Sequence, residues 1–136
     1  MAERHLILDA CALIALQRNE EGAAGVWAAI SAPEVRTGMH ALNVCEVYYD
    51  ALRRDSATTL AELLVDVAAL GIGIETRLEP ALIDLAGHLK ARWRRISLAD
   101  CVALALATLR GGSLLTSDHH EFDALAAAGH PVRFLR

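Results

Sequence analysis

The sequence predicts an α/β fold, a three-layer α/β/α sandwich around a mostly parallel central sheet. Three observations carry this. Five short runs have strand character: HLIL (5–8), VRTGMH (35–40, the weakest), IGIE (72–75), SLLT (113–116) and VRFL (132–135). Stretches with helical apolar spacing separate them, and strands joined through helices form parallel crossovers. The chain has 136 residues, of which 54% are hydrophobic and 22% charged. That is enough for one core and one domain, spanning 1–136, and too apolar for general disorder.

Each element has a local reason. HLIL reads as a buried strand, followed by a helix from Ala10 to Arg18 and a second from Glu20 to Ile30. Between Asn43 and Arg53, the residues Val44, Val47, Tyr48 and Leu52 fall on one helical face. Ala57 to Leu70 repeats that spacing until Gly71 stops it. Pro80 suits the first turn of a helix running to Arg94. Ser97 to Arg110 is the clearest helix, ended by Gly111 and Gly112, and a short one from Glu121 to Ala128 precedes the last strand.

Charge and cysteine content narrow the function. A net charge of −4, from 13 basic and 17 acidic residues, excludes a protein that grips nucleic acid chiefly through a global basic field. A nuclease is still compatible, because a bound cation reverses the sign of an acidic site. Cys11, Cys45 and Cys101 are odd in number and widely spaced, which suits neither a disulfide scaffold nor a zinc ribbon. No apolar run is long enough for a bilayer span, and the first residues lack the form of a cleavable signal, so a cytoplasmic protein without membrane contact is expected.

Open parallel sheets bind ligands beyond the carboxyl ends of their strands, and acids recur there. Asp9 follows HLIL directly, Asp118 follows SLLT by one residue, and Glu46 and Asp100 are expected in first helical turns. Four carboxylates on one rim oppose each other's ionisation and need a cation between them. Mg²⁺ or Mn²⁺ suits oxygen ligands and phosphodiester chemistry. Plain capping competes with this reading. Asn43 and Glu46 have capping-box spacing, Ser97 and Asp100 a looser version of it, and Asp9 and Asp118 are possible caps. Capping predicts scattered, exposed acids, whereas catalysis predicts acids within reach of one ion.

Around these positions the sequence resembles the PIN-domain ribonucleases, in particular the VapC-type toxins of bacterial toxin–antitoxin pairs. LILDACALIAL is similar to the opening strand with its first acid, NVCEV to the Asn-x-x-Glu-Val motif, LADCVALALA to the helix of the third acid, and LLTSDHHEFDAL to the closing Thr-x-Asp motif. The resemblance implies a PIN-like fold and metal-dependent endonucleolytic cleavage of RNA by Asp9, Glu46, Asp100 and Asp118. Asp9, Asp100 and Asp118 would hold the metal. It also implies a homodimer and inhibition by a cognate antitoxin protein. Carried over by position, Thr116 is the hydroxyl residue near the metal and Asn43 the support of Glu46. Cys11 departs from the pattern, standing where the family commonly has a hydroxyl or amide side chain, and a thiol is a weaker hydrogen-bond donor.

Other features admit two readings. Arg92, Trp93, Arg94 and Arg95, just before the helix of Asp100, could contact RNA, with the indole stacked on a base, or form a solvated helix end. His119 and His120 are adjacent and point apart, which disfavours a shared zinc ion; Asp123 is expected on the surface. The cysteines lie among acids that oppose thiolate formation, so cysteine catalysis is disfavoured. A phosphoacceptor domain would need a lysine at the sheet end, and the only lysine is Lys90. An aspartate phosphohydrolase would need an acid where Cys11 stands. The remaining rival is a module of the same fold that binds RNA or a partner protein without cleaving.

Overall fold

The computed structural model describes residues 4–135. In chain order it forms β1 (Arg4–Leu8), α1 (Ala10–Gln17), α2 (Ala23–Ile30), β2 (Val35–His40), α3 (Ala41–Arg53), α4 (Leu60–Ala69), β3 (Gly73–Glu75), α5 (Pro80–Arg92), α6 (Leu98–Leu109), β4 (Ser113–Thr116), α7 (His119–Ala127) and β5 (Val132–Phe134). The strands pair in parallel in the order β3-β2-β1-β4-β5. The chain thus winds outward from β1 through β2 to β3, then returns across the sheet to β4 and β5. The winding reverses between β1 and β4, where such sheets open a crevice at their carboxyl ends.

Both faces of the sheet are covered, as the continuous apolar run HLIL requires. Leu6 and Leu8 join Leu13, Val26, Val44 and Leu63 from α1 to α4 in one core layer. Ile7, pointing the other way, packs with Leu82, Leu104, Phe122 and Leu125 from α5 to α7. Gly112, just before β4, passes so close to β1 that a Cβ there would run into the His5 carbonyl. Gly111 closes α6 with a φ of +67°, a conformation that glycine adopts without strain.

The structure corrects the sequence reading at several boundaries. VRTGMH, the weakest expected strand, is an interior strand between β3 and β1, although Thr37 and His40 are buried polar residues. His40 also moves the start of α3. Its Nδ1 accepts the Leu42 N–H at 3.1 Å, so its Nε2 carries the proton and donates to the Arg77 carbonyl at 3.0 Å. The helix therefore begins at Ala41, no acid lies in its first turn, and the expected Asn43–Glu46 capping box does not form. Glu46 sits in the second turn instead. Similarly, α4 starts behind Thr59, whose Oγ1 accepts the Glu62 N–H at 3.1 Å. Helix α5 stops at Arg92 because the backbone turns away, with Lys90 Nζ donating to the Arg94 and Ile96 carbonyls at 2.7 Å each. Helix α2 begins at Ala23 behind Gly22, and α7 at His119.

Candidate active site

Two acids come from the strands on either side of the winding reversal. Asp9 follows β1 and caps α1, its Oδ1 accepting the Ala12 N–H at 2.9 Å, and it is only 1% exposed. Pairing of Leu8 with Leu115 brings Asp9 level with Thr116, and the Asp9 N–H donates to the Leu115 carbonyl at 3.3 Å. Thr116 is fully buried and ties the two acids together. Its hydroxyl bonds to the Asp9 carboxylate, while its Oγ1 accepts the Asp118 N–H at 3.0 Å. Asp118 in turn caps α7, with Oδ1 accepting the Glu121 N–H at 3.0 Å.

Helices supply the other two. Asp100 stands in the first turn of α6, its N–H donating to Ser97 Oγ at 3.1 Å, and α6 packs across β1 and β4. Glu46 is half-buried on α3, which packs against α1 and α6. Asn43 donates from Nδ2 to the Ala99 carbonyl at 3.4 Å. It pins α3 to the start of α6, and so acts on the two helices that carry Glu46 and Asp100.

Charge interactions link the acids. Burial raises the pKa of Asp9 to about 7; bonds from Thr116 and the Ala12 N–H oppose this, and the charges of Asp100 and Asp118 add to it. Asp100 is raised to about 6 by burial against the pull of Ser97, then by Asp118 and Glu121. Burial and then Asp100 push Glu46 upward. Cys11, exposed at the mouth, is pushed up to about 12 by partial loss of solvation and by Asp9, Asp118, Asp100 and Glu46 in turn. One thiol thus feels all four acids. Asp9 and Asp118 cap helices and also interact with Asp100 through charge, so capping does not leave these acids scattered.

Glu121 is a fifth acid that the sequence reading passed over. It acts on Asp100 and on Cys101, whose thiol burial raises to about 11, and one of its oxygens is buried without a partner. The signal was its place three residues after Asp118, one helical turn away on the same side of α7. Asp123 faces outward and bonds to His119 Nδ1 at 2.8 Å. The His119 ring stacks on Phe134 at 4.0 Å.

The donor set fits a hard divalent cation. It consists of carboxylate oxygens, and among the described residues none of the groups acting on Asp9, Glu46 or Asp100 is cationic. Oxygens of Asn43 and Glu121 are buried without donors. Among the described residues no three His, Cys, Asp or Glu side chains are drawn close enough to chelate an ion as they stand. A hydrated Mg²⁺ keeps several of its waters and needs few direct protein ligands.

The basic run precedes α6 in the chain. The Trp93 ring is half-buried against the α5–α7 core, with the Arg92 guanidinium 5.3 Å from its centroid and His130 edge-on at 6.3 Å. Arg94 and Arg95 are exposed. A groove of about 630 Å³ between α1, α2, α3 and α4, which includes Leu13, Trp27, Tyr48 and Leu63, holds none of the acids. Among the described residues, no helix is long and apolar enough to cross a membrane.

An all-parallel five-stranded sheet, with acids gathered at the carboxyl ends of the two strands that flank its reversal, defines a carboxylate-centred α/β/α protein of PIN-like architecture. The PIN domain family matches residues 6–128, and the chain belongs to that family. PIN domains are generally nucleases. Solved structures share the fold. A toxin–antitoxin complex from Klebsiella pneumoniae aligns with a TM-score of 0.71 at 19% identity, covering 96% of this chain and 98% of that one. VapBC-1 from nontypeable Haemophilus influenzae gives 0.68 at 17%, covering 96% and 98%, and PAE2754 from Pyrobaculum aerophilum gives 0.61 at 18%, covering 99% and 92%. No curated protein matches the sequence.

Proposed function

We propose that this chain is a Mg²⁺- or Mn²⁺-dependent endoribonuclease acting as the toxin of a toxin–antitoxin pair. The observation that carries the reading is that Asp9 and Asp118 follow the neighbouring strands β1 and β4 at the sheet's reversal point, joined through Thr116, with Asp100 acting on Asp9 through its charge. A divalent ion supplies positive charge and Lewis acidity when bound. Asp9, Asp100 and Asp118 would hold it, and Glu46 would complete its surroundings or orient water. Thr116 fixes the Asp9 carboxylate, and Asn43 keeps Glu46 beside Asp100. Arg94 and Arg95 contact RNA phosphates, with Arg92 and Trp93 shaping the surface beneath them.

The toxin role draws on the family and on the similarity in fold to a toxin–antitoxin complex and to VapBC-1. It brings with it a cognate antitoxin, a homodimer and a cytoplasmic place of action. The test is cleavage of end-labelled structured RNA by purified protein with Mg²⁺ or Mn²⁺, beside EDTA and Asp100→Asn. Cuts lost in both controls are expected. Intact RNA with folded, antitoxin-free protein overturns the reading in favour of a module that binds without cleaving.

A further inference from the structure

We infer that Lys90 is a positioning residue for RNA: its ammonium braces the turn that presents Arg94 and Arg95, and so governs substrate affinity without itself touching RNA. The inference rests on the RNA-cleaving reading above and adds the residue that shapes its basic surface. Arg94 and Arg95 are the two corner residues of a β-turn, closed by the Ile96 N–H donating to the Trp93 carbonyl at 3.0 Å. Both feet of the turn are anchored. Ile96 is 6% exposed in the α5–α7 core, Trp93 packs half-buried against the same core, and the Trp93 N–H donates to the Leu89 carbonyl at 2.8 Å. The arginine side chains at the corners are exposed.

Lys90 supplies what the turn lacks. From the last turn of α5 its Nζ donates to the carbonyls of Arg94 and Ile96, the residues on either side of Arg95, at 2.7 Å each. Bonds from a charged donor are the stronger class, and two carbonyl dipoles that would oppose an approaching phosphate are engaged by the ammonium instead. Lys90 is the only lysine among the 13 basic residues, and a compact ammonium suits two converging carbonyls. Two of its three donors are committed to the turn, which leaves phosphate to the arginines. Helix α6 has its own supports: Ser97 Oγ accepts the Asp100 N–H at 3.1 Å, and Asn43 Nδ2 donates to the Ala99 carbonyl. Loss of the ammonium therefore loosens the turn while Asp100 keeps its place.

The test compares Lys90→Met, which keeps the apolar stem, with the Arg94→Ala and Arg95→Ala pair and with all three changes together. RNA binding is followed by fluorescence anisotropy over a salt series in chains that also carry Asp100→Asn, and cleavage with Mg²⁺ in chains that keep Asp100. Lys90→Met should lower the slope of log affinity against log salt by about 1.4–1.8, two phosphate contacts at about 0.7–0.9 each. The triple change should bind no worse than the arginine pair, since residues acting as one unit are not additive. In cleavage, KM should rise about fivefold or more while kcat stays within about twofold, as for a loss of uniform binding. Unchanged affinity, or a slope change of about 0.7–0.9 that adds to the arginine loss, overturns the inference, the latter by making Lys90 a phosphate contact of its own. A fall in kcat at unchanged KM overturns it too, by placing the action at Asp100. Lys90→Gln repeats the comparison if Lys90→Met does not fold. RNA bound with the expected pattern but never cut upholds the role of Lys90 and overturns the nuclease reading, whereas RNA that does not bind overturns both.

Discussion

Replacing Asp9 with Asn should stabilise the metal-free protein, increasingly so as pH rises. Asn keeps an oxygen for the Ala12 N–H and serves as well as Asp at a helix N-cap, so the local structure is preserved while the buried charge is removed. In the folded wild type, Asp9 has a pKa of about 7 against 3.8 for the ordinary side chain. Between those values the folded state binds the extra proton, and stability falls as pH rises. Roughly three pH units at about 1.4 kcal/mol each give a penalty of about 4 kcal/mol above pH 7, of which about 2 kcal/mol is already present at pH 5. The variant escapes it. Urea unfolding of both proteins in EDTA, at about pH 5 and about pH 8, should show the advantage of Asp9→Asn growing by about 2–3 kcal/mol. Mg²⁺ should narrow the gap by stabilising only the wild type. An advantage that does not grow with pH, or a variant less stable at both values, would refute the assignment of Asp9 as a buried carboxylate held against its charge.

Two further predictions concern the scaffold. His40→Ala removes the cap of α3 and leaves the Arg77 carbonyl without its donor, and should cost about 2–4 kcal/mol in urea unfolding. His40→Asn should recover part of that through capping, and a loss below about 0.5 kcal/mol would deny the ring its structural role. Gly112→Ala should cost about 2–3 kcal/mol in thermal unfolding by forcing β4 from the His5 carbonyl, against about 1 kcal/mol for Gly111→Ala, where only φ is strained. Equal losses at the two glycines would count against the close approach.

The succession of strands and helices was legible because apolar residues had only one place to go. Leu6, Ile7 and Leu8 alternate between two cores, and a strand buried on both faces reads as an unbroken apolar run. Reading failed where polar atoms are satisfied through tertiary contacts. VRTGMH looked weak because Thr37 and His40 dilute its pattern, yet His40 meets its two partners at Leu42 and Arg77, the latter 37 residues away. That contact also shifted the start of α3, and with it the place of Glu46 and the partner of Asn43. The acids at Asp9, Asp100 and Asp118 were visible from the strand and helix ends they follow. Their mutual repulsion, and the entry of Glu121, depend on how α6 and α7 return to the sheet, which no local spacing encodes.

The order of the sheet carries a further consequence for synthesis. Asp9 is made before β4, the fourth strand in chain order, which completes its surroundings through Thr116 and Asp118. A ribosome-bound chain that has emerged only through α6 has β1, β2 and β3 in hand and an open edge where β4 belongs. The meeting of Asp9 with Thr116 and Asp118 therefore waits for β4, and a chain that ends before it lacks that wall.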